Sequence, residues 1–516
     1  MSGGGLAVAA PNELAAAAAA DLAGQGGGAV DAAVAATLVA MVSEPGIVSV
    51  GGSAFVTVQP GSGPAIAVDG NVEMPGNHAP PEAFGRGVRT VTTAYGGGVT
   101  TTIGHGSVAT PGALAGLAEA HRRFGRVPWT AVVAPAVDVA RAGFPLSAAS
   151  AYYLDYVHED IYGWHPDSRA ALRAPTGERL LLGDVVRLPQ LAASLEAIGR
   201  DGAQTLYTGE LAAVVAADMA ANDGLLSAGD LAGYRASSGP ALPVRVRDWT
   251  WSVLPPPSIG GPVLAAMLLL AAAQDPRATG PARTAYLARV AHAVLRFRES
   301  DLDLAEDRVP AATALLDDLR GDAPGWLRAA SALRSPSTVH VSVVDSGGTA
   351  CAVTSSSGYG SGVMTPGTGI WLNNCLGEPE LNRRGLHAWA PGTRLPSNMA
   401  PTVGRRDDGA VLAAGSPGAD RITTALLQVL SAVTDGATLR EAVDALRWHV
   451  RLRPGGAALL ETEDGLDVAA VPGLDDRETR PTSMYFGGVG AALLGPDGAL
   501  EAAADPRRTG ATRVVG

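Results

Sequence analysis

Between Thr338 and Val343 polar and apolar residues alternate. Thr338, His340 and Ser342 fall on one face, and Val339, Val341 and Val343 on the other. That pattern predicts a strand, Asp345-Ser346-Gly347-Gly348 a hairpin turn, and residues 349–354 the returning strand. Further strands are expected at 53–58, 64–68, 249–254, 370–372 and 410–414. Helical patterns occupy 12–23, 29–42, 132–141, 189–198, 210–222, 263–273, 284–298 and 420–433, and another follows Thr110-Pro111-Gly112. The 29–42 segment is apolar all round and is expected to be buried. Residues 308–336 mix helical and polar signals and read as an exposed linker before the hairpin. Helices segregated from strand pairs predict a layered α+β sandwich rather than βαβ units.

Composition narrows what such a chain does. With 516 residues, 47% hydrophobic and 17% charged, it is globular and large enough for a substantial core. A net charge of −12 argues against a nucleic-acid partner. Every basic residue is Arg, so lysine Schiff bases, P-loop lysines and kinase lysines are excluded. The two cysteines, Cys351 and Cys375, form no disulfide scaffold and no zinc spacing. His158 and His165 in HEDIYGWH also lack metal-ligand spacing and read as surface polar residues, so no metal or cofactor is expected. The 29–42 run is short and contains Asp31, and no Lys or Arg precedes Arg86. The expectation is a soluble, cytoplasmic protein with no membrane partner, with a leader removed beforehand left open.

Thr338 carries the chemical interest. A threonine hydroxyl needs an adjacent base, and cutting the chain before it supplies one: its own α-amine. Such an amine titrates near about 7.7–8.0, so a useful fraction is unprotonated at neutral pH. The alternative is an ordinary edge strand. No G-x-S-x-G elbow occurs. Gly415-Ser416-Pro417-Gly418, ahead of a helix, offers either backbone N–H groups to an anion or only a tight turn.

Several blocks carry a resemblance. GGGAVDAAVAATLVAMVSEP, Val72-Glu73-Met74-Pro75, Thr110-Pro111-Gly112, PPPSIGG, SPSTVHVSVVDSGG, GTGIWLNN, SNMAPT, GSPGADRITT and ADPRRTGA together resemble the γ-glutamyltransferase (γ-glutamyltranspeptidase) family of N-terminal nucleophile hydrolases. The resemblance implies a four-layer αββα sandwich made from a self-cleaved precursor. Cleavage between Ser337 and Thr338 would leave a large subunit, 1–337, and a small subunit, 338–516, interlocked as one intertwined domain. Thr338 would be the nucleophile, and Ser356 the hydroxyl that orients it, with Ser355 and Ser357 left open. Gly418 and Ala419 would supply oxyanion N–H groups. His340 is expected to support the strand from beneath.

The substrate clamp departs from the family pattern. Val72 stands where the family carries an arginine for the glutamyl α-carboxylate, and the acidic pair after LNN becomes Cys375-Leu-Gly-Glu378-Pro-Glu. Ser397-Asn398 replaces Ser-Ser, and Ser357-Gly358-Tyr359 replaces the segment with the substrate asparagine. Val72, Asn374, Glu378, Arg394, Ser397 and Asn398 are therefore the expected substrate contacts, with Arg394 or Arg89 as replacement clamp arginines. A carboxylate buried without its guanidinium loses several kcal/mol. The first expectation is a threonine hydrolase that forms an acyl-Thr338 intermediate on a small, non-standard substrate. It would cut an amide or a carbon–carbon bond, in a specialised pathway such as antibiotic biosynthesis. The second is a true γ-glutamyl hydrolase or transferase on glutathione-like amides, and the third an uncleaved homologue with a binding role. Homo-oligomerisation is left open.

Overall fold

The computed structural model describes residues 4–94, 98–274, 279–327, 338–453, 457–474 and 476–516. The strands of its two main sheets are β1 (Leu6–Ala10), β2 (Ser53–Gln59), β3 (Ile66–Gly70), β4 (Ser237–Pro240), β5 (Leu242–Val246), β6 (Trp249–Val253), β7 (Val339–Asp345), β8 (Ala350–Ser356), β9 (Thr402–Arg406), β10 (Val411–Gly415), β11 (Gly490–Leu494), β12 (Leu500–Ala504) and β13 (Ala511–Val515). One sheet has the order β13-β1-β7-β8-β2-β3-β4 and the other β12-β11-β10-β9-β6-β5. Both are antiparallel throughout.

Three apolar layers hold the sheets. On the outer face of the first sheet lie α1 (Glu13–Gly24), α2 (Ala29–Ser43), α3 (Ala113–Phe124) and α4 (Trp129–Ala142), and Val339, Val341 and Val343 of β7 point into this layer. Every residue of α2 is buried, as its uniform apolarity predicts. Its one charged residue, Asp31, accepts from the N–H groups of Gly28 (2.8 Å) and Arg126 (3.0 Å), which answers its burial. The outer face of the second sheet packs on α5 (Gly260–Ala272), α6 (Gly280–Phe297), α7 (Arg308–Trp326) and α8 (Arg421–Thr434). Between the sheets the contacts are mostly small, with Ala7, Ala350, Ala352, Ala413 and Ala492 beside Phe55, Val344 and Val403. The result is the expected four-layer αββα sandwich.

Two expectations about the hairpin approach differ in outcome. The Asp345 turn is present: Asp345 Oδ1 accepts from Gly347 and Thr349 N–H, both at 3.0 Å. The linker, by contrast, is helical over Arg308–Trp326, with Asp322 out of helical geometry, and buries Leu315, Leu316 and Leu319 in the second helical layer. Residues 328–337, including Ser337, lie outside the described residues.

Candidate active site

The polar face of β7 turns toward the second sheet. His340 is buried, with Nδ1 2.8 Å from Thr354 Oγ1 and Nε2 2.7 Å from Ser342 Oγ. Its ring fills the space beside Gly415, where a Cβ would lie 2.2 Å from Cε1. Burial lowers its pKa to about 3, so the ring is neutral and hydrogen-bonded within the strand layer. It acts as support beneath the strand, as expected.

Thr338 directly precedes β7 and is 3% exposed. The β7–β8 pairing sets Val339 opposite Ser355, so continuing the register brings Thr338 opposite Ser356. On its other side Ser356 pairs with Ser53, whose Oγ donates to Ser356 O at 3.0 Å. The neighbouring serines are used elsewhere. Ser355 Oγ donates to Ser53 O (2.7 Å), while Ser357 Oγ accepts from Ser49 N–H (3.0 Å). Ser356 is the one of the three that lines a cavity together with Thr338.

Val72, Glu378, Ser397, Asn398 and Ala419 line the same cavity. Ser53, Asn71, Leu381, Pro396, Met399 and Ile422 complete its wall and escaped the sequence reading, together with Cys375 of the run already noted in place of the acidic pair. Ser53 opens the expected strand 53–58 and Asn71 adjoins the quoted Val72-Glu73-Met74-Pro75 block, which was the available signal. A second cavity is also lined by Thr338, with Glu44 and Arg508 in its wall. Arg508 Nη1 is 3.4 Å from Thr338 O.

Ala419 belongs to the turn between β10 and α8. Ser416 Oγ fixes this turn by donating to Pro417 O (2.6 Å) and accepting from Gly488 N–H (3.2 Å). Gly418 has φ +116°, and a Cβ there would sit 2.7 Å from Gly487 Cα, so only glycine fits. Ala419 itself is held at φ +68°, a left-handed conformation that costs a non-glycine residue about 1–2 kcal/mol. Among the described residues neither N–H donates a hydrogen bond, and both precede the N-terminus of α8.

Two expected substrate contacts are not at the cavity. Asn374 spends its side chain on the loop framework: Oδ1 accepts from Tyr359 N–H (2.7 Å) and Nδ2 donates to Thr101 Oγ1 and Thr102 O (both 3.1 Å). Arg394 is turned to Glu73 (2.7 Å) and Asp69 (3.4 Å), and its guanidinium stacks 4.5 Å over Tyr234. Arg89 lies 5.1 Å over Trp164. No arginine lines the cavity among the described residues.

Among the described lining residues its one charged-type side chain is Glu378, 2% exposed. Burial, reinforced by the neighbouring Glu380 carboxyl, raises its pKa well above the usual carboxylate range, against a smaller lowering from the Cys375 thiol. Burial likewise raises Glu380 to about 7, although Tyr359 Oη donates to it at 2.5 Å.

His158 and His165 are both buried rather than at the surface. Among the described residues no group of three His, Cys, Asp or Glu side chains could hold a metal ion. No described helix is long and apolar enough to cross a membrane.

Comparison with known proteins agrees with this architecture. The family model for gamma-glutamyltranspeptidase matches residues 15–515. The chain is 30% identical to the acylase ACY 1 proenzyme of Pseudomonas sp. (strain V22), over 96% of this chain and 91% of that one. It is also 30% identical to the glutathione hydrolase proenzyme of Escherichia coli (strain K12), over 94% and 88% respectively. The cephalosporin acylase structure from Bacillus halodurans superposes with TM-score 0.82 at 23% identity, covering 99% of this chain and 96% of that one, which is a likeness of fold. The chain therefore belongs to the gamma-glutamyltranspeptidase family of hydrolases and acyltransferases.

Proposed function

We propose that the chain cuts itself between Ser337 and Thr338, and that the freed Thr338 then hydrolyses an amide whose acyl group carries no carboxylate. The α-amine of Thr338 takes the proton from Oγ1 as that oxygen attacks the acyl carbonyl. Ser356, opposite Thr338, holds the hydroxyl in line. The N–H groups of Gly418 and Ala419 receive the oxyanion, a contribution of about 2.7–4 kcal/mol per donor in comparable sites. The ammonium formed on Thr338 returns its proton to the leaving amine, and water resolves the acyl ester.

The observation that carries the substrate class is Val72, buried in the cavity wall while Arg394 is held by Asp69 and Glu73. A carboxylate entering this cavity loses its hydration without gaining a guanidinium partner. Equal identity to an acylase and to a glutathione hydrolase does not decide between them, so the choice of substrate rests on this wall.

The test combines denaturing electrophoresis with two chromogenic anilides. Wild-type protein should run as two fragments, and Thr338→Ala as one full-length, inactive band. Pentanoyl p-nitroanilide should be cleaved in preference to γ-glutamyl p-nitroanilide. An active protein that stays full length, or a preference for the γ-glutamyl compound, overturns the proposal.

A further inference from the structure

Among the described residues lining the cavity beside Thr338, Glu378 is the one carboxyl, and its surroundings are unusual for a carboxylate. Glu378 is 2% exposed, and its Oε2 has no hydrogen-bond partner among the described residues. Its Oε1 is enclosed: the position of a Cβ on Gly358 lies 2.8 Å from it and 2.4 Å from Asn374 Oδ1. The groups facing Glu378 are the Cys375 thiol and the Glu380 carboxyl on its own loop. Tyr359, from the segment after β8, lies beyond them, bonded to Glu380. None of these is a cation.

The arginines around this loop are committed elsewhere. Arg383 pairs with Glu299 (3.0 Å), Arg298 with Asp303 (3.0 Å) and Arg394 with Glu73. An ionised Glu378 would thus be a buried charge with no counter-charge, beside a second carboxyl, which is costly. A protonated Glu378 carries no such penalty, and burial holds it in that form. A neutral acid differs from a carboxylate in having an O–H to give.

We propose that Glu378 works as a neutral carboxylic acid whose Oε2–H donates to an uncharged acceptor, a carbonyl or ether oxygen, on the acyl group. This rests on the reading of the cavity as one for acyl groups without a carboxylate, and it adds that the group bears no ammonium either. An ammonium would have to draw the proton off Glu378 and then bury two ions in a cavity whose described lining holds no other charged side chain. A ketone, amide or ether oxygen satisfies Oε2 with neither cost.

Four p-nitroanilides distinguish the cases: levulinyl, whose chain ends in a ketone; γ-aminobutyryl, which offers an ammonium; pentanoyl, which offers neither; and γ-glutamyl. With wild-type enzyme, kcat/KM for levulinyl should exceed that for pentanoyl and for γ-aminobutyryl by about tenfold, the worth of one good hydrogen bond. Glu378→Gln keeps an N–H donor at the same place and should hold the levulinyl value within about threefold, whereas Glu378→Leu should reduce it to the pentanoyl level. A γ-aminobutyryl preference in the wild type, or a loss in Glu378→Gln as large as in Glu378→Leu, overturns the assignment. The wild-type substrate order decides even if a variant fails to fold. A γ-glutamyl preference would instead refute the parent reading of the cavity, a separate outcome.

Discussion

Arg394 Nη1 lies 2.7 Å from Glu73 Oε1, and this ion pair, not the substrate cavity, is where that guanidinium is spent. The same side chain approaches Asp69 and donates to the Asn71 carbonyl (3.1 Å), directly behind the wall that carries Val72. Burial already pushes the carboxyls of Asp69 and Glu73 up. Arg394→Met leaves them facing each other and should cost about 3 kcal/mol, read as a lower denaturant midpoint. The ratio of pentanoyl to γ-glutamyl turnover should stay constant. A changed ratio would mean that Arg394 reaches the substrate.

Restoring a guanidinium to the wall should widen the substrate range. Val72→Arg is expected to raise γ-glutamyl p-nitroanilide kcat/KM at least tenfold relative to pentanoyl, through a charge-assisted pair with the α-carboxylate. Steady-state kinetics on both substrates gives the ratio. No gain in a folded, self-cleaved variant would mean that the carboxylate does not lie at Val72.

The three consecutive serines should separate by kinetics. Ser356→Ala removes the hydroxyl opposite Thr338 and should lower kcat about 100-fold while slowing self-cleavage. Ser355→Ala and Ser357→Ala each lose a framework hydrogen bond and should cost about 1 kcal/mol of stability with kcat nearly unchanged. An equal loss of kcat in all three would show that Ser356 has no special place.

Glu380 gives the protein a pH signature. Its folded-state pKa is about 7 against an ordinary 4.5, so between these values the folded chain keeps a proton that the unfolded chain has released. Stability from this group therefore falls as pH rises from 4.5 through 7, by at most about 3 kcal/mol at about 1.4 kcal/mol per pH unit. Glu380→Gln lacks this dependence. Denaturation midpoints should show the variant gaining on wild type in alkaline buffer and losing that advantage in acid. A constant difference across pH would mean that Glu380 is not held protonated.

What the sequence shows directly is what local pattern dictates. The period-two run at Thr338 placed its valines on the helices and His340 on the second sheet, and the unbroken apolarity of α2 foretold its burial. The helix at Arg308–Trp326 was hidden because Pro310, Gly321 and Pro324 punctuate it, although Leu315, Leu316 and Leu319 keep helical spacing. The direction of Arg394 was not legible at all, because its partners Asp69 and Glu73 lie more than 300 residues away in the chain. Asn374 shows the same limit: its motif marked the right loop, but only the packing of Thr101, Thr102 and Tyr359 shows that its amide is already used.

The strand order β13-β1-β7 has a consequence for the life of the molecule. After the proposed cut, β1 comes from the first fragment, while β7 and β13 on either side of it come from the second. Neither fragment can leave without tearing ladders on both flanks of an interior strand. Each molecule thus keeps the two halves it was born with. Mature populations of different variants, mixed without denaturant, remain the parental species and form no hybrids.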